Sequence, residues 1–270
     1  MKINRIKMEP TQIVRAMTVC GAILALPAAS RAQTSYTVND STAAAFMASG
    51  PTGNLATNNY GNAGTLAIAP ASSTKGAFDS VLLFNTTAAV GQFNTDYGAG
   101  NWAVTGVQLS LASNFGVQGQ QPNNQLFNTI NAGSFGIDWL SDNTWTVGNG
   151  GGGGTPGYPV NSDVDYAYVP TLLSLGYDSL GDFTYTPPGN NVYLTYTMPT
   201  DGGLDTAAAD GTVSLYFYAA DNQVSYLFNS QVFGSNHPEL ILTAAPVPEP
   251  ATLALLGVGL AGLVAARRRH

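Results

Sequence analysis

The sequence is short of the residues that most hydrolytic chemistries use. Its 270 residues include one cysteine, Cys20, and two histidines, His237 and His270. Serine and cysteine hydrolases need a histidine base, for which residues 33–246 offer only His237, and a zinc site would find no second His or Cys there. Bases are scarce as well, nine Lys and Arg against sixteen Asp and Glu. Lys2, Arg5, Lys7, Arg15 and Arg31 lie in the first 32 residues, and Arg267, Arg268 and Arg269 sit at the far end. Residues 33–246 therefore carry one base, Lys75, and fourteen acids, a net of −13. Such a body cannot neutralise a run of phosphates, which excludes nucleic acid as a partner. Other polyanions would need a bridging cation.

What is present points to export. A basic opening, an apolar run over residues 16–26 and the small residues Ser30 and Ala32 predict a signal peptide over residues 1–32, cut before Gln33. Its removal would take Cys20 with it and leave a mature chain without thiol or disulfide. At the other end, residues 251–266 carry no charge. As a helix they span about 24 Å against a hydrocarbon core of roughly 30 Å, a shortfall that snorkelling arginines can cover. They predict a transmembrane helix, with Arg267, Arg268 and Arg269 held on the cytoplasmic side and the body outside the inner membrane.

The body, residues 33–246, reads as strands. All 27 aromatic residues fall between Tyr36 and Phe233, enough to build a core. Val213, Leu215, Phe217 and Ala219 alternate with Ser214, Tyr216 and Tyr218, and residues 107–111 alternate in the same way. The near-continuous apolar run 78–84 fits a central strand covered on both sides. Further strands are expected over residues 192–197 and 240–243, and near 36–38, 66–69, 135–139, 166–169 and 183–186. Residues 42–48 and 204–209 suit short helical turns, and no helical period runs beyond about two turns. The expected fold is all-β, an antiparallel β-sandwich of jelly-roll type. A glycine-rich loop over residues 148–157 interrupts it without splitting it, because neither half alone is large enough for a good core. That loop lacks the Gly-Lys-Ser/Thr ending of a phosphate-binding loop.

Two resemblances follow from these residues. Val247, Pro248, Glu249 and Pro250, then the apolar stretch, then Arg267, Arg268 and Arg269 resemble the PEP-CTERM sorting tail of Gram-negative bacteria over residues 247–270. That resemblance implies recognition and processing by an exosortase, a transient hold on the inner membrane, and delivery to the cell surface or the extracellular matrix of polysaccharide and biofilm. The body is similar, more faintly, to disaggregatase-related and alginate-binding β-sandwich modules. The similarity rests on Asn59-Tyr60-Gly61, the strands that follow it, and the region of Trp139 and Trp145. It departs from that pattern at Asp79, where the family carries a base near the strand.

Candidate sites within the body are few. A glycosidase needs two carboxylates across its substrate, and Asp138/Asp142, Asp163/Asp165 and Asp178/Asp182 are the close pairs. Turn-making is the competing role, since Asp bonds its own backbone in tight turns. Asp163 and Asp165, after Asn161, would offer alternating oxygen ligands to calcium. Trp139, Trp145 and Tyr218, if exposed together, would stack on sugar rings, whereas Trp102 beside Val104 suits the core. His237 precedes Pro238 and suits a turn. The expected function is that of a non-catalytic cell-surface or matrix protein that binds or scaffolds polysaccharide. The alternatives are a polysaccharide-degrading enzyme using an Asp pair, and a structural or adhesive matrix protein without a ligand site.

Overall fold

The computed structural model describes residues 32–72, 74–114, 132–148, 164–186 and 189–247, together with Gly257. The chain divides into two units, Met1–Ala32 and Gln33–His270. The expected signal peptide, most of the expected anchor and most of the glycine-rich loop lie outside the described residues. Among the described residues no helix is long and apolar enough to cross a membrane.

The second unit is all-β with antiparallel pairing. Its strands are β1 (Thr34–Asn39), β2 (Ala43–Ala48), β3 (Thr65–Ile68), β4 (Phe78–Asn85), β5 (Trp102–Ala112), β6 (Gly133–Leu140), β7 (Tyr177–Tyr185), β8 (Tyr193–Met198), β9 (Thr212–Ala219), β10 (Tyr226–Asn229) and β11 (Glu239–Pro246). Among the described residues three helices join them: α1 (Thr87–Tyr97), α2 (Val169–Ser174) and α3 (Gly203–Asp210). Eight strands pair as a nested ribbon, β1 with β11, β4 with β9, β5 with β8 and β6 with β7. Lateral pairs β11·β5 and β9·β6 then close two sheets, β1-β11-β5-β8 and β2-β4-β9-β6-β7. β3 and β10 form a separate pair. Strands from both sides of residues 149–163 pair directly, since β6 lies between β9 and β7.

One apolar cluster joins the inner faces of both large sheets. Val107, Leu109 and Leu111 of β5 and Leu240 and Leu242 of β11 meet Leu82 and Phe84 of β4, Phe135 and Ile137 of β6, and Val213, Leu215 and Phe217 of β9. A second cluster covers the outer face of the five-stranded sheet. There Trp145, Val164, Val169 and Leu172 pack over Ala43, Ala45, Met47, Val81, Leu140 and Tyr216. The alternation in β9 is therefore real, but both of its faces are covered.

Three sequence expectations fail locally. Residues 43–48 form strand β2, not a helical turn. Alanine favours helix, yet this segment pairs along β4 from Ala43↔Leu83 to Ala48↔Phe78, and its small side chains fit under both clusters. Residues 166–169 form a 3-10 turn, Tyr166–Tyr168, leading into α2 rather than a strand. Asp165 caps that turn, its Oδ1 accepting from the Tyr168 N–H at 2.8 Å, and Pro170 sits where the first helical turn needs no donor. Finally α1 runs 11 residues, longer than expected. Its buried residues Ala89, Phe93 and Tyr97 recur every four positions and give it an inward stripe.

Candidate functional site

The outer face of β9 positions the chemistry. Tyr216 and Tyr218 lie two residues apart on one side of the strand and stack with ring centroids 5.6 Å apart. Each meets a carboxyl group. The Tyr216 hydroxyl donates to Asp79 Oδ2 at 2.7 Å. Asp79 shares the outer face of β4 with Val81, which stands opposite Tyr216. It is buried, and desolvation pushes its carboxyl up to about 7, against the opposing pull of the Tyr216 hydroxyl. The same pair drives the Tyr216 phenol far above its ordinary range, through burial first and the Asp79 charge second.

Tyr218 reaches the other way. Gly136 stands opposite it on β6, and a Cβ at Gly136 would fall 2.2 Å from the phenol ring, so only glycine lets the ring cross β6. Beyond it lies Asp138, which faces Tyr216 on β9 and Ser179 on β7. Asp138 is buried and its Oδ1 has no partner. Desolvation raises its pKa; Ser179 and Tyr218 oppose the rise and the nearby Asp182 adds to it. A register shift between Ile137 and Asp138, opposite Gly181, separates Asp178 from Asp182.

A cleft of about 320 Å³ opens beside this array. Asp79, Tyr166, Tyr218, Asp221 and Asn222 supply its polar lining, and Pro70 and several alanines supply the rest. Asp221 is committed to the backbone: its carboxylate accepts from the N–H groups of Ser134, Gln223 and Val224 at 2.6–2.9 Å. Desolvation pushes its pKa up, but these hydrogen bonds together outweigh it and hold the pKa below the usual carboxylate range. The cleft thus faces one carboxyl pushed up and one pulled down.

The expected sugar-stacking trio does not come together. Trp145 is buried at 3% exposure, with its indole N–H donating to Ser214 Oγ at 2.8 Å, so it fills the second cluster and offers no open ring face. Trp139 packs against the inner cluster, its ring over Gly203 at the start of α3, where a Cβ would fall 2.2 Å away. Of the three, only Tyr218 lines the cleft. Tyr166 joins it instead, carried there by the turn that replaced an expected strand.

The carboxylate pairs are also redistributed. Asp142 Oδ1 accepts from both the Thr144 N–H at 2.8 Å and its hydroxyl at 2.7 Å, a turn role. Asp178 accepts from the Gly203 N–H at 2.9 Å. Asp163 lies outside the described residues. Asp165 spends one oxygen on its cap, and burial raises its pKa. Among the described residues no three His, Cys, Asp or Glu side chains gather to hold a metal ion. His237 serves as a clamp: Nδ1 meets the Asp40 carboxylate and Nε2 meets the Phe233 carbonyl at 2.6 Å. Both partners are acceptors, so the arrangement favours the doubly protonated ring, whose pKa is raised by Phe233 first and Asp40 after it.

In the sequence Asp79 stands out only as a departure from a family pattern, not as a site residue, and Tyr166, Tyr216 and Asp221 are not site candidates there either. The available signal for Asp79 was a lone acid at the start of an apolar central strand, in phase with Val81 and Leu83. Asn59-Tyr60-Gly61 proves structural in this chain. Asn59 is fully buried, donates to the Val164 carbonyl at 2.9 Å and accepts from the Gly61 N–H, while Tyr60 stacks on Phe46 at 4.4 Å. This clip holds the segment carrying Tyr166 in place.

Val247 is described, and its N–H donates to the Asn101 carbonyl at 2.9 Å. Pro248, Glu249, Pro250 and Arg267, Arg268 and Arg269 lie outside the described residues. No match to the chain is found among curated proteins, and the likeness of the body to disaggregatase-related modules has no support from a relative. Residues 246–269 match the family model of the PEP-CTERM protein-sorting motif. That motif implies an exported, exosortase-sorted surface protein.

Proposed function

We propose that the body is a non-catalytic polysaccharide-binding or scaffolding module, carried to the cell surface or matrix by its sorting tail. The observation that carries this reading is the cleft, which Tyr166 and Tyr218 line together with Asp221 and Asn222. The nested strand pairing supports a jelly-roll sandwich, an architecture shared with lectin domains, though fold alone carries no ligand. A body of net −13 suits neutral glycans, with acidic ones reached only through a cation such as calcium. In this reading residues 251–266 anchor the precursor in the inner membrane until exosortase removes them. Released protein that still carried those residues would contradict that step. The test of binding is retention on a glycan array with and without calcium, repeated with Tyr218→Ala. Retention that the substitution reduces at least tenfold is expected; no retention in either condition would overturn the binding role.

A second reading has its own observation. Asp79 and Asp221 line one cleft with their pKa values displaced in opposite directions, the pattern of an acid and a base. A polysaccharide-degrading enzyme using this pair would lower polymer viscosity and lose that effect in Asp79→Asn. Viscosity unchanged by the parent chain across neutral and acidic polymers excludes it.

A further inference from the structure

The inner core holds three tyrosines where phenylalanine would pack as well. Tyr185 of β7 and Tyr226 of β10 are fully buried, and Tyr196 of β8 is 7% exposed. Their rings sit among phenylalanines. Tyr185 and Tyr226 stack at 4.2 Å, Phe135 lies edge-on to Tyr196 at 5.1 Å and to Tyr226 at 5.4 Å, and Phe228 meets Tyr185 at 5.7 Å. Phe135, Phe217 and Phe228 fill the same cluster without a polar atom. Yet all three tyrosine hydroxyls are buried, and among the described residues none has a hydrogen-bond partner.

Three such groups in one place are unlike a scattered defect. Buried hydroxyls are normally bonded to protein or to ordered water, and each exception calls for a cause. The three rings are also linked in space: Tyr185 stacks on Tyr226, and Phe135 lies edge-on to both Tyr226 and Tyr196. They come from the edge strands of the two large sheets and from the separate β3·β10 pair. Among the described residues no backbone ladder joins β7, β8 and β10.

We infer that Tyr185, Tyr196 and Tyr226 enclose an internal water site at the edge of the sandwich, bridging β7, β8 and β10 through their hydroxyls. The ligand class follows from the lining. Neutral hydroxyls can each donate or accept, as water can, while the surrounding Phe rings make burial of an ion unfavourable. The bridge gives the sequence a reason to place Tyr at three positions that Phe would otherwise fill.

The test is a crystal structure of the full chain at a resolution that resolves ordered water, paired with thermal unfolding of Tyr185→Phe, Tyr196→Phe and Tyr226→Phe. Density for one or more waters within hydrogen-bond distance of at least two of the three hydroxyls is expected. Each substitution should then lower Tm by about 2–4 °C, since it removes a bridged partner. The opposite sign is informative, because an orphaned hydroxyl replaced by hydrogen relieves a cost. A dry site, density for a larger molecule, or a Tm unchanged or raised in all three variants overturns the inference.

Discussion

The two faces of β9 are both buried, yet they are built from different chemistry. Val213, Leu215 and Phe217 belong to the apolar cluster between the sheets. Ser214, Tyr216 and Tyr218 lie under a cover of loop and helix, and each has a polar partner or an opening beside it. Burial alone therefore does not mark the core of this protein. The inner face is stabilised by area removed from water, the outer face by matched polar pairs whose loss leaves a desolvated group behind.

Four substitutions probe that difference. Phe217→Ala attacks the inner face where nothing polar compensates, and should cost about 3–5 kcal/mol in urea unfolding. A loss under 1 kcal/mol would mean the inner cluster is loosely packed. Asp79→Asn tests the outer face through pH. The native state holds the Asp79 proton up to about pH 7, whereas the unfolded chain releases it near 4. The parent is thus favoured below about pH 4 and loses stability as pH rises through 7; the variant does not. The parent's stability relative to the variant should therefore fall by something on the order of 4 kcal/mol from pH 4 to pH 8. A constant gap would place Asp79 in the ordinary range.

Gly136→Ala should cost about 2 kcal/mol by driving the Tyr218 ring off β6. It should also weaken any glycan retention while leaving inner-face packing intact, which near-ultraviolet circular dichroism can separate. Trp145→Phe keeps an aromatic ring but removes the pyrrole ring with its N–H, so stranding Ser214 Oγ costs about 1 kcal/mol on top of the lost packing. The double variant with Ser214→Ala should recover part of that loss; simple additivity would indicate that the hydrogen bond contributes nothing.

Most strands were legible because each is a local pattern. Residues 213–219 alternate by two, and residues 78–84 are apolar throughout, and both signals survive without knowledge of partners. The failures share a cause. Residues 42–48 carry helical propensity, but β4 offers them a complete hydrogen-bond ladder and a space that suits alanine. Residues 166–169 look like a strand, but Asp165 and Pro170 impose a turn, and that turn delivers Tyr166 to the cleft. The sugar-stacking trio failed because exposure is no property of a residue type: Trp145 finds Ser214, some seventy positions away in the chain, and becomes core.

The sorting tail, the acidity of the body and its all-β character can be read from residue order and composition, because each depends on neighbours along the chain or on sums over it. The chemistry of individual acids cannot. Asp79 and Asp221 are the same residue type in the same cleft, and only the folded chain gives one a dry setting with a single hydroxyl partner and the other three backbone donors. Desolvation and hydrogen bonding act through distances of a few ångströms in space, and those distances exist only once the two sheets have closed.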